Sequence, residues 1–412
     1  MSVQSVVIVG AGQSGGRAAA LLRQEGFQGD ITLIGAEAHP PYERPPLSKA
    51  VLKGDKTADH CFLYEADFYQ QQNITLITGK TVEAIDADAH TVTLDDGTSH
   101  SFDALIFATG GVVKRLPLPG ADLAGIHVVR TLDDSAELGK ALTPGARIVV
   151  IGGGFIGLET AATARQKECD VTVLEGAPRI LGRSIPEVVA AAVSRLHEEN
   201  GIKIVLNARI QAFEGSDHVT GIRFEDGSVM PADAVVIGIG IAPGTDLAKS
   251  AGVECGDGIM VDEFGATNIP GIYATGDCAC GNNPRYGAAI RLESWQNADM
   301  QARTVARSIC GKPEAYAPVP WLWSDQFDWT LQTAGLPHRA EKIVTRGQYE
   351  DGAQIFFCLE GDTLIGVAGF GKGSAIAKDV RMAQMMMERG VNPDPDALAD
   401  ESIPLRKIMK DG

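Results

Sequence analysis

Short apolar runs rich in valine and isoleucine alternate along the chain with segments whose apolar residues recur at helical spacing. The runs at 5–10 and 31–35 flank a helix-like stretch at 14–26. The same order returns at 147–175, where a strand-like run, a helical stretch at 155–168 and the strand-like DVTVLE follow one another. Because strand, helix and strand in this order form a βαβ unit, both regions predict an α/β fold with parallel sheets.

Further strands are predicted at 74–79 and 104–110. The hairpin at 90–103, which turns at a DDG, is expected to complete the first sheet with them. The segment 221–240 has the same outline of a hairpin followed by an apolar strand, so the two halves are interpreted as repeats of one architecture. The segment 268–279 is expected to return as a strand to an existing sheet.

The segment PPYERPPLSK (40–49) contains four prolines. It therefore predicts a rigid, extended loop near the first nucleotide rather than a regular helix or strand. Helices are predicted at 187–200 and 293–311. From residue 318 onward, strand-like runs are followed by a helix at 374–389, and this predicts a separate C-terminal α+β domain.

Each βαβ region carries a G-x-G-x-x-G fingerprint between its first strand and its helix. The glycines are Gly10, Gly12 and Gly15 in the first region and Gly152, Gly154 and Gly157 in the second. In such a turn the first glycine permits the tight bend, the second lets a pyrophosphate approach, and the third allows close helix packing. An acid follows the second strand of each region, Glu37 and Glu175. The sequence therefore predicts two bound dinucleotides. The simplest function of a protein that binds two is to pass electrons from one to the other.

Charge and cysteine usage exclude other classes of function. Lysine and arginine number 36 against 53 acids, a net charge of −17, which argues against nucleic-acid or anionic-membrane partners. No apolar run approaches the length of a membrane span, and a strand begins by residue 5, so neither a span nor a signal peptide is expected. Seven scattered cysteines favour a reducing cytoplasm. The eight histidines form no H-x-x-x-H pair, and no metal site is expected.

Two strands end in a turn made of a small residue, threonine and glycine: ALIFATG (104–110) and IYATGD (272–277). Asp277 follows the second turn directly. At the carboxyl end of a strand it is well placed to accept a hydrogen bond from a ribityl hydroxyl of a flavin. The alternative is that Asp277 is a helix N-cap.

A family resemblance becomes visible when the motifs are taken in order. They are GAGQSG, RPPLSK (44–49), ALIFATG, GGGFIGLE (152–159), VLE (173–175), IYATGDCA, RLESWQNADMQA (291–302) and WLWSDQ (321–326). This series resembles the FAD-dependent NADH:ferredoxin reductases of bacterial oxygenase systems, over essentially all 412 residues. RPPLSK and WSDQ carry the most weight, because unrelated dinucleotide-binding proteins do not share them.

The resemblance implies a glutathione-reductase-like fold that binds two dinucleotides. Its FAD-binding domain would comprise 1–112 and 241–317, with an NAD-binding domain at 113–240. A C-terminal α+β domain would follow at 318–412.

The resemblance also implies roles for individual residues. Lys49 would lie beside the isoalloxazine ring and pair with Glu159, which would also face the nicotinamide. Without the family, Lys49 reads as a solvated loop lysine and Glu159 as a surface helix acid. Further residues expected to contact FAD are Arg44, Arg130 and Trp295, and Ile156 is expected to contact NADH. Trp323 would lie near the flavin and the ferredoxin dock, unless it simply packs in the core.

The two ribose acids differ in clarity. Glu175 would accept hydrogen bonds from both ribose hydroxyls and repel a 2′-phosphate, which favours NADH, although Arg179 and Arg183 follow it. In the family the first acid commonly follows the terminal glycine of the strand directly, where this chain has Ala36. Either Glu37 substitutes for it by a small backbone shift, or the adenine ribose is held differently. Glu37 is otherwise a solvated loop acid.

Disulfide reductases of this fold carry a cysteine pair beside the flavin, and the 40–49 loop has none. The preferred interpretation is therefore an NADH:ferredoxin reductase, in which FAD takes a hydride from NADH. Single electrons then leave to a [2Fe–2S] ferredoxin that supplies an oxygenase such as a cytochrome haem monooxygenase. The alternatives are a rubredoxin reductase, an NADH oxidase or peroxidase, and a redox-sensing flavoprotein resembling the apoptosis-inducing factor. Basic residues that could form the dock are Arg285, Arg291, Arg303, Arg307, Lys312 and Arg339.

Overall fold

A computed structural model describes residues 3–411 of the chain. The strands are β1 (Ser5–Val9), β2 (Asp30–Gly35), β3 (Ile74–Thr78), β4 (Val82–Asp86), β5 (Thr91–Leu94), β6 (Ser99–Ser101), β7 (Ala104–Phe107), β8 (Gly111–Val113), β9 (Ile126–His127), β10 (Arg147–Ile151), β11 (Asp170–Leu174), β12 (Lys203–Val205), β13 (Ile210–Gly215), β14 (Val219–Phe224), β15 (Val229–Pro231), β16 (Ala234–Ile237), β17 (Ile241–Pro243), β18 (Cys255–Gly256), β19 (Gly258–Val261), β20 (Ile272–Ala274), β21 (Ala279–Asn283), β22 (Ala288–Arg291), β23 (Trp321–Gln326), β24 (Trp329–Gly335), β25 (Lys342–Gln348), β26 (Ala353–Glu360) and β27 (Thr363–Lys372).

The helices are α1 (Gln13–Gln24), α2 (Ala50–Lys53), α3 (Phe68–Gln71), α4 (Leu132–Ala141), α5 (Phe155–Gln166), α6 (Glu187–Glu199), α7 (Asp246–Ser250), α8 (Trp295–Ile309), α9 (Ala377–Arg389), α10 (Pro395–Ala399) and α11 (Leu405–Asp411). Short 3-10 helices lie at Pro45–Ser48, Ala58–Cys61, Gly276–Cys278, Pro337–Arg339 and Tyr349–Asp351.

The chain divides into two compact units. The first contains the described residues up to Arg44, together with Ala58–Val112 and Ile241–Pro318. The second contains Pro45–Thr57, Val113–Gly240 and the described residues from Val319 onward.

The first unit is built on a parallel sheet of order β20-β7-β1-β2-β3. Ile272 of β20 is in register with Leu105 of β7, so the segment after the second nucleotide module does return to the first sheet as predicted. Helix α1 follows β1, and the alanines and leucines on one of its faces pack against the sheet and α8. A smaller sheet of order β18-β19-β21-β22 completes this unit.

The expectation that the hairpin at 90–103 completes the first sheet is wrong. Strands β4, β5 and β6 form a three-stranded antiparallel sheet of their own. The reason lies in the inward side chains of β5, because Val92 and Leu94 are buried in a cluster with Val7 and Phe107 of the parallel sheet. The hairpin therefore covers one face of the parallel sheet instead of extending its edge.

The second unit repeats this architecture. A parallel sheet of order β12-β11-β10-β16-β9 lies beside an antiparallel sheet of β13, β14 and β15. The predicted helix at 187–200 is observed as α6. From Val319 the chain forms an antiparallel sheet of order β23-β24-β27-β26-β25, against which α9 packs through Val380, Ala383 and Met386.

The proline-rich segment also differs from the expectation of an extended loop. Pro45–Ser48 forms a 3-10 turn, and α2 follows at Ala50. Proline tolerates the first positions of a helical turn, because the N–H it lacks would have no partner there. Within residues 3–411, no helix combines the length and the apolar character needed to cross a membrane.

Candidate functional site

The first fingerprint turn connects β1 to α1 in the first unit. Gly10 has φ +111°, and a Cβ at this position would lie 2.2 Å from the carbonyl oxygen of Ala108. A Cβ on Gly15 would lie 1.9 Å from the carbonyl oxygen of Gly10. The protein's own backbone therefore requires glycine at both positions.

Gly12 has no such internal requirement. Its φ of −78° is open to any residue, and the nearest atom to a Cβ there is Nη2 of Arg44, 3.8 Å away. Gly12 is the N-cap of α1, so the unpaired N–H groups of the first helical turn point out beside it. Open space, free N–H groups and a guanidinium suit a phosphate, so the residues present fit a dinucleotide.

The second fingerprint, between β10 and α5, reproduces this geometry in the second unit. Gly152 has φ +109° and a Cβ there would lie 2.4 Å from the oxygen of Gly238. A Cβ on Gly157 would lie 2.1 Å from the oxygen of Gly152. Gly154 again has an ordinary φ of −84°, and a Cβ there would lie 4.0 Å from the oxygen of Gly238. This turn fits a second dinucleotide.

Arg44 connects the first fingerprint to Glu37. Nη2 of Arg44 donates to Oε1 of Glu37 at 2.7 Å, and the Tyr42 hydroxyl donates to Oε2 at 2.5 Å. Burial opposes the charge of Arg44, but Tyr42, Glu37 and Asp277 outweigh it and raise the pKa of the guanidinium. Glu37 thus already has two protein donors, and its role toward a ribose stays a prediction.

Asp277 lies in the 3-10 turn that follows β20, close to the first fingerprint. The N-cap of this turn is Thr275, so the alternative that Asp277 is an N-cap is wrong. The hydroxyls of Thr275 and Ser14 are 2.9 Å apart, and Gly276 N donates to Oε1 of Gln301 at 2.9 Å. These bonds fix the turn beside the start of α1, and they place Asp277 within electrostatic reach of Arg44.

Trp295 and Arg130 occupy separate places. Trp295 begins α8 in the first unit, where its indole N–H donates to Oε1 of Glu43 at 3.1 Å. Its carbonyl accepts a hydrogen bond from Gln13 at 3.3 Å. Arg130 precedes α4 in the second unit, and its backbone N–H donates to Oδ2 of Asp134 in the capping box of that helix.

Lys49 and Glu159 meet within the second unit. Nζ of Lys49 lies 3.3 Å from Oε1 of Glu159 and 3.4 Å from Oδ2 of Asp325. The Glu159 side chain is only 4% exposed, so the interpretation as a surface acid is wrong, and the ion-paired Lys49 is not a solvated loop lysine. The pairing that the resemblance implied is present in the structure.

Two hydroxyls complete the surroundings of the Glu159 carboxylate. Ser48 Oγ donates to Oε2 at 2.5 Å, and Ser324 Oγ donates to Oε1 at 2.6 Å. Burial raises the pKa of Glu159, while Lys49 and the two hydroxyls pull that pKa back toward its ordinary value. A buried carboxylate with three donors is held in one orientation, and its ionised form is stabilised.

Trp323 stands beside this cluster. The ammonium of Lys49 lies 5.8 Å from the centroid of its ring, and its indole N–H donates to Oδ2 of Asp325 at 3.2 Å. Trp323 also stacks on Trp321, with ring centroids 5.1 Å apart. The structure therefore joins Trp323 to the Lys49–Glu159 pair. Its part in docking a partner stays a prediction.

Glu175 is bound to the second fingerprint by its own carboxylate. Oε2 accepts from Gly153 N at 2.7 Å and Oε1 accepts from Ala177 N at 2.8 Å. Arg179 donates instead to the carbonyls of Ile185 and Gly182, so its guanidinium is engaged within its own loop. An acid at the fingerprint with its neighbouring arginine turned to backbone carbonyls matches the expected preference for NADH.

Ile156, near the start of α5, is 45% exposed. A large apolar side chain exposed beside an open phosphate turn is suited to contact a bound ligand.

The cysteines lack the features of a redox pair. All seven lie within the described residues, and no two of them form a disulfide. Burial raises the pKa of the Cys278 and Cys280 thiols, which keeps them protonated and poorly nucleophilic. Among residues 3–411 no group of three or more His, Cys, Asp or Glu side chains is placed to hold a metal ion.

Several of the suggested docking cations are matched locally by acids. Arg291 pairs with Asp257 and Glu293, and Arg307 and Lys312 both pair with Glu25. These three residues therefore contribute less positive potential than the sequence suggested.

Sequence reasoning missed the residues that support Glu159. Ser48, Ser324, Gln326 and His197 received no role, although all are buried. A signal was present in β23, where serine and glutamine alternate with a tryptophan and an aspartate. The buried face of that strand is polar at Ser324 and Gln326, and polar residues on an inward face indicate a hydrogen-bonded network.

The comparisons with known proteins agree with this geometry. The family model described as pyridine nucleotide-disulphide oxidoreductase matches residues 4–302, and a reductase C-terminal model matches 321–409. The chain belongs to the pyridine nucleotide-disulphide oxidoreductases. Rhodocoxin reductase of Rhodococcus erythropolis is 40% identical over 98% of this chain and 93% of its own length. The ferredoxin–NAD(+) reductase component of the anthranilate 1,2-dioxygenase system of Burkholderia cepacia is 39% identical over 99% and 100%.

Solved structures are similar along the whole chain. The covalent putidaredoxin reductase–putidaredoxin complex has a TM-score of 0.96 at 37% identity, covering 100% of this chain and 99% of that one. The ferredoxin reductase for the CYP199A2 system of Rhodopseudomonas palustris has a TM-score of 0.94 at 37% identity, covering 98% and 99%.

These matches confirm the predicted resemblance to ferredoxin reductases, the two-dinucleotide fold with its C-terminal α+β domain, and the class of oxidoreductase. The family uses FAD and NAD(H), so the cofactor prediction is confirmed as well.

The middle glycines provide a test of the dinucleotide sites. Gly154→Ala should fold with a nearly unchanged melting temperature, because its Cβ would lie 4.0 Å from the oxygen of Gly238, an ordinary contact distance. The new methyl group should weaken NADH binding at least roughly tenfold by blocking the approach of the pyrophosphate. Binding is measured by titration and folding by thermal unfolding.

Gly157→Ala is the matched control, because its Cβ would lie 2.1 Å from a backbone oxygen. It should destabilise the protein itself. Unchanged NADH affinity in folded Gly154→Ala would show that no pyrophosphate binds this turn.

Proposed function

We propose that this chain is an NADH-dependent flavoprotein reductase that passes electrons through FAD to a [2Fe–2S] ferredoxin, which supplies an oxygenase. The observation that carries this proposal is the presence of two open fingerprint turns in a protein whose 40–49 segment contains no cysteine. Two dinucleotide sites support internal electron transfer, and the lack of a cysteine pair in the 40–49 segment argues against a dithiol acceptor. The names of the relatives point to ferredoxins as acceptors.

The two cofactors are assigned to domains by their surroundings. FAD is proposed to bind the domain of 1–112 and 241–317, through the glycines Gly10, Gly12 and Gly15 and the side chains Glu37, Arg44, Asp277 and Trp295, with Arg130 of the following segment. NADH is proposed to bind the domain of 113–240, through Gly152, Gly154, Ile156, Gly157, Glu159 and Glu175. The C-terminal domain at 318–412 is proposed to contribute the WSDQ segment, whose Trp323 would lie near the flavin.

When bound, FAD would supply the chemistry that takes a hydride from NADH and releases the two electrons one at a time. Lys49 is proposed to act near the reacting ring, where its positive charge favours added negative charge. Glu159 holds the ammonium in place from one side and Asp325 from the other. The ion pair thus acts by electrostatics and orientation, and no acid or base of the protein is required.

The choice of acceptor distinguishes the alternatives. An oxidase or peroxidase of this fold would use a reactive thiol, whereas burial raises the pKa of the Cys278 and Cys280 thiols. A rubredoxin is the nearest alternative to a ferredoxin, because both are one-electron carriers. The odd number and scattered positions of the seven cysteines support a reducing compartment, and we infer the cytoplasm.

The proposal predicts that electrons reach a haem protein only when a ferredoxin is added. NADH alone should bleach the flavin absorbance of the FAD-loaded protein. Reduction of a cytochrome should then require added [2Fe–2S] ferredoxin and should slow at high salt if charged groups guide the encounter. Rapid disulfide reduction without any response to ferredoxins would contradict the proposal.

Replacement of Glu175 tests the preference for NADH. Glu175→Arg should lower kcat/KM for NADH and raise it for NADPH, changing their ratio by at least roughly tenfold. Glu175→Gln keeps an acceptor for Gly153 N and should give an intermediate ratio.

Glu225→Arg is the control, because it makes the same change in charge at an exposed position in the turn after β14. It should leave the ratio unchanged. An unchanged ratio in Glu175→Arg would remove Glu175 from the specificity site.

A further inference from the structure

A line of buried polar side chains runs from α6 through β23 to Glu159. Nε2 of His197 lies 2.8 Å from Oε1 of Gln326, and Nε2 of Gln326 donates to Ser324 Oγ at 3.1 Å. Ser324 Oγ donates to Oε1 of Glu159 at 2.6 Å. His197 and Ser324 are 0% exposed, Gln326 is 1% exposed, and all four residues belong to the second unit.

When Glu159 is ionised, its carboxylate determines the direction of every hydrogen bond in this line. A carboxylate can only accept, so the single hydroxyl hydrogen of Ser324 is used on Glu159. Ser324 can then only accept from the amide nitrogen of Gln326. The amide oxygen of Gln326 consequently faces His197, and Nε2 of His197 must carry a hydrogen to donate.

His197 stabilises this direction. Its Nδ1 is buried and has no hydrogen-bond partner among the described residues. When Nδ1 carries no hydrogen, its lone pair costs little free energy by having no partner there. If the line ran in reverse from a protonated Glu159, His197 would have to accept at Nε2 and place its hydrogen on Nδ1. A buried N–H without an acceptor is costly, so the reversed arrangement is disfavoured.

We propose that His197, Gln326 and Ser324 are positioning residues that form a one-way line of donors and hold Glu159 ionised and oriented toward Lys49. That an ionised and oriented Glu159 matters for NADH oxidation rests on the proposed function. The direction of the hydrogen bonds does not rest on it, and this direction can be measured without a ferredoxin.

The charges around Glu159 are consistent with this arrangement. Burial raises its pKa, and Lys49 is the charged group that opposes this rise, aided by the hydroxyls of Ser324 and Ser48. Lys49 also faces Asp325, which accepts from Thr330 and Trp323. At the far end, burial lowers the pKa of His197 to about 4, so His197 is neutral near pH 7.

The first experiment determines the tautomer of His197 in the FAD-loaded protein. Histidine is labelled with ¹⁵N, and the spectrum of His197→Phe assigns the His197 signals among the eight histidines. The expected result is a neutral ring with its hydrogen on Nε2 from about pH 6 to about pH 9. A hydrogen on Nδ1, or a ring that becomes charged near neutral pH, would overturn the proposal.

The second experiment removes one donor by Ser324→Ala. Without this hydroxyl the folded-state pKa of Glu159 rises further above its unfolded value. When a carboxyl has a raised folded-state pKa, the folded protein loses stability as the pH rises from the unfolded-state pKa to the folded-state pKa. The drop in melting temperature relative to the wild type should therefore increase as the pH is raised from about pH 5, just above the unfolded-state value of a glutamate, to about pH 9.

Two variants make this result specific. Ser324→Thr restores a hydroxyl and should remove the pH-dependent part of the loss. Ser308→Ala deletes a hydroxyl that donates to the backbone carbonyls of Phe264 and Thr304, and its loss should be the same at every pH. A Ser324→Ala loss that is independent of pH would overturn the proposal. If the His197 tautomer and the pH dependence of Ser324→Ala are as expected but no ferredoxin is reduced, only the proposed function is rejected.

Discussion

The burial of the Glu159 carboxylate is the constraint on which much of the second unit depends. A buried charge is tolerated only when it is paired and hydrogen-bonded. Glu159 on α5 receives its partners from two distant segments, Ser48 and Lys49 in one and Ser324 in the other. These contacts explain why Pro45–Thr57 groups with Val113–Gly240 and the C-terminal strands rather than with its neighbours in sequence.

Other bonds strengthen this attachment. Thr163 of α5 donates to the carbonyl of Ser48 at 2.7 Å, and Ser135 of α4 donates to the carbonyl of Leu47 at 2.8 Å. The 3-10 turn is thus held from two helices through its backbone as well as through its side chains. Lys49 is placed by a rigid segment, which is what an electrostatic role in catalysis requires.

The sequence predicted the strand–turn–helix units well, because apolar spacing and glycine position are local signals. It misplaced the hairpin at 90–103, since the face against which Val92 packs is decided by distant residues. It identified Lys49 and Glu159 only through family resemblance, because the burial of Glu159 is created by residues more than 100 positions away. His197 was missed for the same reason, as its partner Gln326 lies on a strand far along the chain.

In the proposed reaction an electron pair enters at one dinucleotide and leaves the protein as single electrons. The most direct measurement is the stoichiometry of a single turnover without oxygen, in which the FAD-loaded protein receives NADH and excess oxidised [2Fe–2S] ferredoxin. Each NADH should yield NAD⁺, one proton and about two reduced ferredoxins, with the flavin returned to its oxidised form. A flavin that stays reduced beside oxidised ferredoxin would contradict the account.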